Sequence, residues 1–146
     1  MKVLVVNGPN LNMLGRRDPS QYGSETLAQI QESVRKRAHE LGVEVEIFQS
    51  NHEGAIIDYL QKAARDAQGI IINAGAFTHY SYAIRDALAD TKLPFIEVHL
   101  SDVKAREEFR RKSVFEDIAT AVISGHRGKG YIMALEHLAQ LLSKKG

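Results

Sequence analysis

Short apolar runs recur along the chain at Val3–Val6, Val43–Phe48, Gly69–Ile72, Pro94–Val98 and Ala121–Ile123. Runs of this length bounded by turn residues read as buried strands. Between them the period of the pattern changes. Ser24 is placed to cap a helix over Glu25–Leu41, in which Leu27, Ile30, Val34, Ala38 and Leu41 form one stripe and Gly42 ends it. A second helical stretch runs from about Glu53 to Ala67 with Ile56, Ile57, Leu60 and Ala64 inward. A third covers about Ser81 to Ala89, a shorter one Lys104 to Phe109, and the last Gly130 to Ser143. Strand and helix alternating in this way predict a single α/β domain over residues 1–146. Its expected form is a flavodoxin-like, doubly wound, five-stranded parallel sheet with helices on both faces.

Composition narrows the class of protein. The 146 residues are 44% apolar and 25% charged, with a net charge of +1. Such a balance recruits neither nucleic acid nor an anionic membrane, so neither is expected as a partner. The longest apolar runs are four to six residues, too short to span a bilayer. With the first strand starting at once there is no room for a leader, and a cytoplasmic protein is expected. The chain has no cysteine, which excludes disulfides, thiolate catalysis and cysteine-based zinc sites.

Ligands of doubly wound sheets bind beyond the carboxyl ends of the strands, so the polar residues there carry the functional signal. After the five runs come Asn7-Gly8-Pro9-Asn10, Ser50-Asn51-His52-Glu53-Gly54, Asn73-Ala74-Gly75-Ala76-Phe77-Thr78-His79, Glu97-Val98-His99-Leu100-Ser101-Asp102 and Ser124-Gly125-His126-Arg127-Gly128-Lys129-Gly130-Tyr131. Four of the six histidines lie in these segments. Five such loops converging on one edge predict a polar site for a small hydroxylated molecule. The connection from Leu11 to Gly23 far exceeds the usual length of about 2–6 residues, which marks it as functional. It holds Arg16, Arg17 and Tyr22, and a guanidinium beside a phenol favours the phenolate, a base.

Glu97 and His99 are two residues apart on an extended segment and leave it on the same face. A carboxylate beside an imidazole orients the ring and favours its protonated form, as a general acid requires. Arg106 and Arg110 are four apart and would share a helix face just beyond that strand. Other candidates fall away. Tyr59 and Tyr131 lie in helical patterns and read as structural, and His39 and His137 sit on helices. His52-Glu53 fails as a metalloprotease helix because position 56 is Ile, and the glycines of residues 125–130 match neither a dinucleotide fingerprint nor a Walker loop.

Read together, these motifs resemble the type II 3-dehydroquinate dehydratases. The resemblance runs through Asn7-Gly8-Pro9-Asn10-Leu11-Asn12, Gly15-Arg16-Arg17, Tyr22-Gly23, the His52, Asn73–His79 and Glu97–Ser101 segments, and Arg106-Glu107-x-Phe109-Arg110. It covers nearly the whole chain in order. Ala74, Phe77, Asp102 and His126 stand where the family usually has proline, tyrosine, asparagine and an apolar or aromatic residue.

The resemblance implies conversion of 3-dehydroquinate to 3-dehydroshikimate and water, by anti elimination through an enolate, without a cofactor or metal. It implies that Tyr22 is the base, assisted by Arg17. Asn10 holds a water against the enolate oxygen, and His99, steadied by Glu97, protonates the leaving hydroxyl. Asn73, His79, Leu100, Ser101, Arg106 and Arg110 hold the substrate, and Asp86 is contributed by a neighbouring subunit. It further implies a homo-oligomer, a dodecamer built from trimers, with residues 11–23 as a lid.

The pathway expected is aromatic amino acid biosynthesis through shikimate, with quinate breakdown by the same reaction as the alternative. A Schiff-base dehydratase is the rival mechanism, and Lys2, Lys36, Lys62, Lys92 and Lys104 fall at ends or on polar faces where they serve it poorly. A non-catalytic flavodoxin-like binding module is the rival of a different kind, and the chain lacks the phosphate-gripping loop such a module needs after its first strand.

Overall fold

A computed structural model describes residues 1–144. Five strands, β1 (Lys2–Asn7), β2 (Glu44–Gln49), β3 (Gly69–Asn73), β4 (Phe95–His99) and β5 (Ala121–Ser124), form one wholly parallel sheet in the order β2-β1-β3-β4-β5. The helices are α1 (Pro19–Tyr22, a single turn), α2 (Leu27–Leu41), α3 (Glu53–Ala63), α4 (Tyr82–Thr91) and α5 (Lys129–Ser143). The chain first winds outward from β1 to β2, then returns to the other side of β1 through β3. The crevice at that reversal, beyond the carboxyl ends of β1 and β3, is where this topology places a ligand.

Side-chain alternation assigns each strand residue to one of two cores. Val3, Val5, Ile71, Ile96 and Val98 pack under α2 and α5 with Ile30, Val34, Leu135 and Leu138. Leu4, Val6, Ile70, Ile72 and Phe95 face α3 and α4 with Ile56, Leu60, Ile84 and Leu88. The same parity governs the polar strand ends. Asn7 and Asn73, register partners across β1 and β3, point to the α2/α5 side. Glu97 and His99 follow Phe95 to the α3/α4 side. Gly130 lets the start of α5 lie close to the sheet, since a Cβ there would stand 3.1 Å from Val98 Cγ1.

The strands fall where the apolar pattern places them, and three helical expectations are corrected. The helix expected from Glu25, α2, starts at Leu27. Its cap is Thr26, whose hydroxyl accepts from the Gln29 N–H at 3.1 Å while the Gln29 side chain accepts from the Thr26 N–H at 2.9 Å. This reciprocal box satisfies two orphan donors, which Ser24 could not do from outside the turn. α3 stops at Ala63 and tightens into a 3-10 turn over Ala64–Asp66. The stretch Lys104–Phe109 is not a helix. It forms two 3-10 turns, Val103–Ala105 and Glu108–Arg110, the first held by the Asp102 carboxylate accepting from the Lys104 N–H at 3.2 Å.

Among the described residues no helix is long and apolar enough to cross a membrane. The cap correction is testable by urea unfolding. Thr26→Ala is expected to lose about 1 kcal/mol, whereas Ser24→Ala is expected to leave the midpoint unchanged.

Candidate active site

The largest constraint at the strand ends is that Glu97 is fully buried, at 0% exposure. Three side chains satisfy it. Thr78 Oγ1 donates to Oε2 at 2.6 Å, Ser113 Oγ donates to Oε1 at 2.7 Å, and His99 Nε2 donates to Oε2. Burial alone pushes the carboxyl up. The hydrogen bond and charge of His99, with the Thr78 and Ser113 hydroxyls, outweigh it and hold the group below its ordinary value. Because Nε2 of His99 is committed to Glu97, Nδ1 is the ring nitrogen left for a ligand. Thr78 reaches Glu97 from a 3-10 turn over Gly75–His79 that leads into α4.

His99 is 6% exposed and forms one wall of a cavity of about 150 Å³. Asn10, Leu11, Arg17, Tyr22, Asn73, Gly75, Ala76, His79, Leu100, Ser101, Arg106 and Arg110 line the rest, with Pro9 and Val103. Three guanidiniums and no carboxylate therefore face the space, which suits an anionic guest. Arg106 Nε is buried without a hydrogen-bond partner, so the cavity wall still has donor capacity to give. His79 Nδ1 donates to the Lys112 carbonyl at 2.7 Å. Burial pushes its imidazole pKa down, leaving a neutral ring whose Nε2 is an acceptor.

Tyr22 sits at the end of α1, between two arginines. The Arg17 guanidinium stacks on its ring, with Cζ 3.8 Å from the centroid. Arg106 Nη1 donates to the Tyr22 Oη at 2.8 Å and also reaches Ser101 Oγ at 3.3 Å. The group that touches the phenol oxygen is thus Arg106, whereas the sequence pattern singled out Arg17. Arg106 and Arg110 share no helix face; successive 3-10 turns bring them to the cavity instead.

The loop beyond β1 is held tightly. The Gly8 N–H donates to the Asn73 carbonyl at 2.7 Å, and a Cβ at Gly8 would stand 2.4 Å from the Ala74 oxygen, so only glycine permits this approach. Asn10 adopts a left-handed conformation with φ 69°, which asparagine tolerates better than most residues. Its N–H donates to Asn51 Oδ1 at 3.0 Å.

Eleven of the twelve residues expected to act or bind gather here, Glu97 from behind His99. Asp86 does not join them: it is exposed on α4, away from the cavity of its own chain. Nor do all five loops converge. Those after β2 and β5 stand behind the site, with Asn51 buttressing Asn10 and Arg127 packed against Gly23, while His52 and His126 are exposed. Sequence reasoning missed Ser113, Thr78, Asn7 and the hydroxyl of Tyr131. Thr78 lay inside a motif, and the register pairing of Asn7 with Asn73 was a usable signal; Ser113 had none.

Fold and site together define an α/β protein of flavodoxin-like topology with a small-molecule cavity at its switch point. The family model for dehydroquinase class II matches residues 1–139. A 3-dehydroquinate dehydratase of Thermotoga neapolitana is 55% identical over 144 residues, spanning 99% of this chain and 98% of that relative. A catabolic 3-dehydroquinase of Podospora anserina is 50% identical over 158 residues, with 99% and 98% coverage. The crystal structure of the type II dehydroquinase from Butyrivibrio crossotus matches with a TM-score of 0.92 at 51% identity, covering 94% of this chain and 97% of that one. The chain belongs to the class II dehydroquinase family.

The depressed Glu97 carboxyl has a consequence for acid stability. A group whose folded pKa lies below its ordinary 4.5 stabilises the fold fully above that value, and the contribution is lost as pH falls through the lower folded value. Urea unfolding across this acid range is expected to show a shallower fall in stability for Glu97→Gln than for the parent. Equal slopes would mean that folding leaves the Glu97 carboxyl unshifted.

Proposed function

We propose that this protein is a 3-dehydroquinate dehydratase that works through a tyrosinate base and an enolate. The observation that carries the reading is the placement of Tyr22, held between Arg17 and Arg106, in the same cavity as the Glu97–His99 pair. One supplies a base and the other an acid, as elimination from a β-hydroxyketone requires.

In this mechanism the Tyr22 phenolate takes the proton alpha to the ketone, and the electron pair moves onto the carbonyl oxygen. A cation at the phenol oxygen is needed because tyrosine ordinarily titrates near 10. Arg106 is in contact with that oxygen, and Arg17 adds its charge over the ring. Asn10 orients a water toward the enolate oxygen, favouring the charge that develops in the transition state. The enolate then collapses to the conjugated enone. The β-hydroxyl leaves with its electron pair, takes a proton from His99 and departs as water. Tyr22 ends protonated and His99 deprotonated, and exchange with solvent resets both. Glu97 steadies His99 through the step. Asn73, neutral His79, Ser101, the Leu100 backbone and Arg110 grip the hydroxyl and carboxylate groups. The balance closes without a cofactor, and no lysine lines the cavity to form an imine with the ketone.

The loop from residue 11 to 23 serves as the lid. Leu11 and Leu14 are buried in the core, so the moving part is the segment between Gly15 at φ 95° and Gly23 at φ 78°. Assembly into a dodecamer of trimers extends the reading. Tyr80, Tyr82 and Phe109 are exposed, and Tyr82 shares α4 with Asp86, which could reach a cavity only in a neighbouring copy. The enzyme acts in the cytoplasm, in aromatic amino acid biosynthesis; quinate breakdown would use the same step.

Purified protein given 3-dehydroquinate is expected to produce the ultraviolet absorbance of the conjugated enone and to resist borohydride. Tyr22→Phe is expected to lose about 10²–10⁴-fold in kcat, and an active variant would remove Tyr22 as the base. An inactive parent that still binds a substrate analogue would leave a binding module. For the lid, proteolysis at Arg16 or Arg17 is expected to slow when the analogue is bound; equal cutting in both states would count against closure.

A further inference from the structure

Behind the cavity, on the α2/α5 side of the sheet, lies a buried hydrogen-bond chain whose Asn7 and Tyr131 have no part in the mechanism above. Tyr131, at the first turn of α5, is 1% exposed, and Asn7 is fully buried. Tyr131 Oη donates to Asn7 Oδ1 at 2.6 Å. Asn73 Nδ2 donates to Tyr131 Oη at 3.1 Å. Asn7 Nδ2 in turn donates to the Phe48 carbonyl at 3.3 Å. Burial pushes the Tyr131 phenol well above its ordinary range, so it stays neutral and keeps its single proton.

The direction of this chain is dictated from one end. A backbone carbonyl can only accept, so Phe48 fixes which end of the Asn7 amide faces it and turns Oδ1 toward Tyr131. The tyrosine proton is then committed to Asn7, and the tyrosine oxygen can only accept from Asn73. The other end of the Asn73 amide agrees, because Oδ1 accepts from the Gly75 N–H at 3.2 Å. A flipped Asn73 would set two acceptors against each other at Tyr131 and two donors at Gly75. Asn73 lines the cavity, and its Nδ2 retains a second proton.

We propose that Tyr131 is a positioning residue whose hydroxyl locks Asn73 as a hydrogen-bond donor to the substrate, selecting an acceptor oxygen at that point of the ligand. The proposal rests on the reading of Asn73 as a substrate contact. Tyr131→Phe keeps the ring in the core and removes only the hydroxyl, leaving the Gly75 N–H as the remaining tie on the Asn73 amide.

The test is a double-mutant cycle on kcat and KM for 3-dehydroquinate, using the parent, Tyr131→Phe, Asn73→Ala and the double variant. Tyr131→Phe is expected to raise KM about tenfold, the scale of one lost hydrogen bond, with kcat within about threefold and its pH profile unmoved. The double variant is expected to match Asn73→Ala, because the tyrosine acts only through that amide. A raised KM in Asn73→Ala with a normal KM in Tyr131→Phe would overturn the proposal, as would effects that add in full. A normal KM in Asn73→Ala would remove Asn73 as a substrate contact, and the proposal with it. Should Tyr131→Phe not fold, Asn7→Ala releases the tyrosine proton, so that only the Gly75 N–H still opposes the flip. It is expected to raise KM in the parent and to add nothing in the Asn73→Ala background; a normal KM in the folded variant would overturn the proposal.

Discussion

A carboxylate buried at the end of β4 sets the terms for the rest of the site. An ionised carboxyl removed from water is tolerable only when its oxygens are hydrogen-bonded. Glu97 has no contact with solvent, so partners must come to it. They come from three places: Thr78 on the turn after β3, Ser113 on the segment before β5, and His99 two residues along the same strand. Each of those commitments shapes something else. The Thr78 bond fixes the turn that carries His79 to the cavity. The Ser113 bond draws the segment after Arg110 over the sheet end. The His99 bond selects which ring nitrogen faces a ligand.

The sheet separates two kinds of work. On the α3/α4 side, the Glu97 cluster orients the His99 ring. On the α2/α5 side, the amides of Asn7 and Asn73 meet the Tyr131 hydroxyl and form a chain with one allowed direction. Both arrangements follow from the parity of adjacent strand residues, and both open on one cavity because β1, β3 and β4 end side by side. Neither requires a strained sheet. The backbone departures are confined to the loops, with Asn10 the one at the cavity that involves a side chain.

How legible this was depended on how local each determinant is. Strands such as Val3–Val6 and Gly69–Ile72 were readable because continuous burial demands a continuous apolar run. The Glu97–His99 pair was readable because a two-residue spacing has one meaning on an extended segment. The turns at Val103–Ala105 and Glu108–Arg110 were not, since Arg106 and Arg110 are held by Tyr22, Ser101 and Glu107 rather than by any helical stripe. Ser113 was invisible because nothing near it in the chain announces a carboxylate across the sheet. Tyr131 was read as a structural aromatic, and its ring is that. An apolar stripe looks the same whether or not a hydroxyl at its edge has a partner.

The cavity wall carries three guanidiniums, while the chain as a whole is nearly neutral at +1. Its positive field is therefore local, rising at one mouth and compensated elsewhere on the surface. A low-dielectric cleft of one sign concentrates small anions from solution, and salt screens that attraction over about 8–10 Å. The same arginines that govern Tyr22 thus also act before any contact is made. They bias which small molecules linger at the entrance, so the rate of capture becomes a function of ionic strength even though no net charge advertises it.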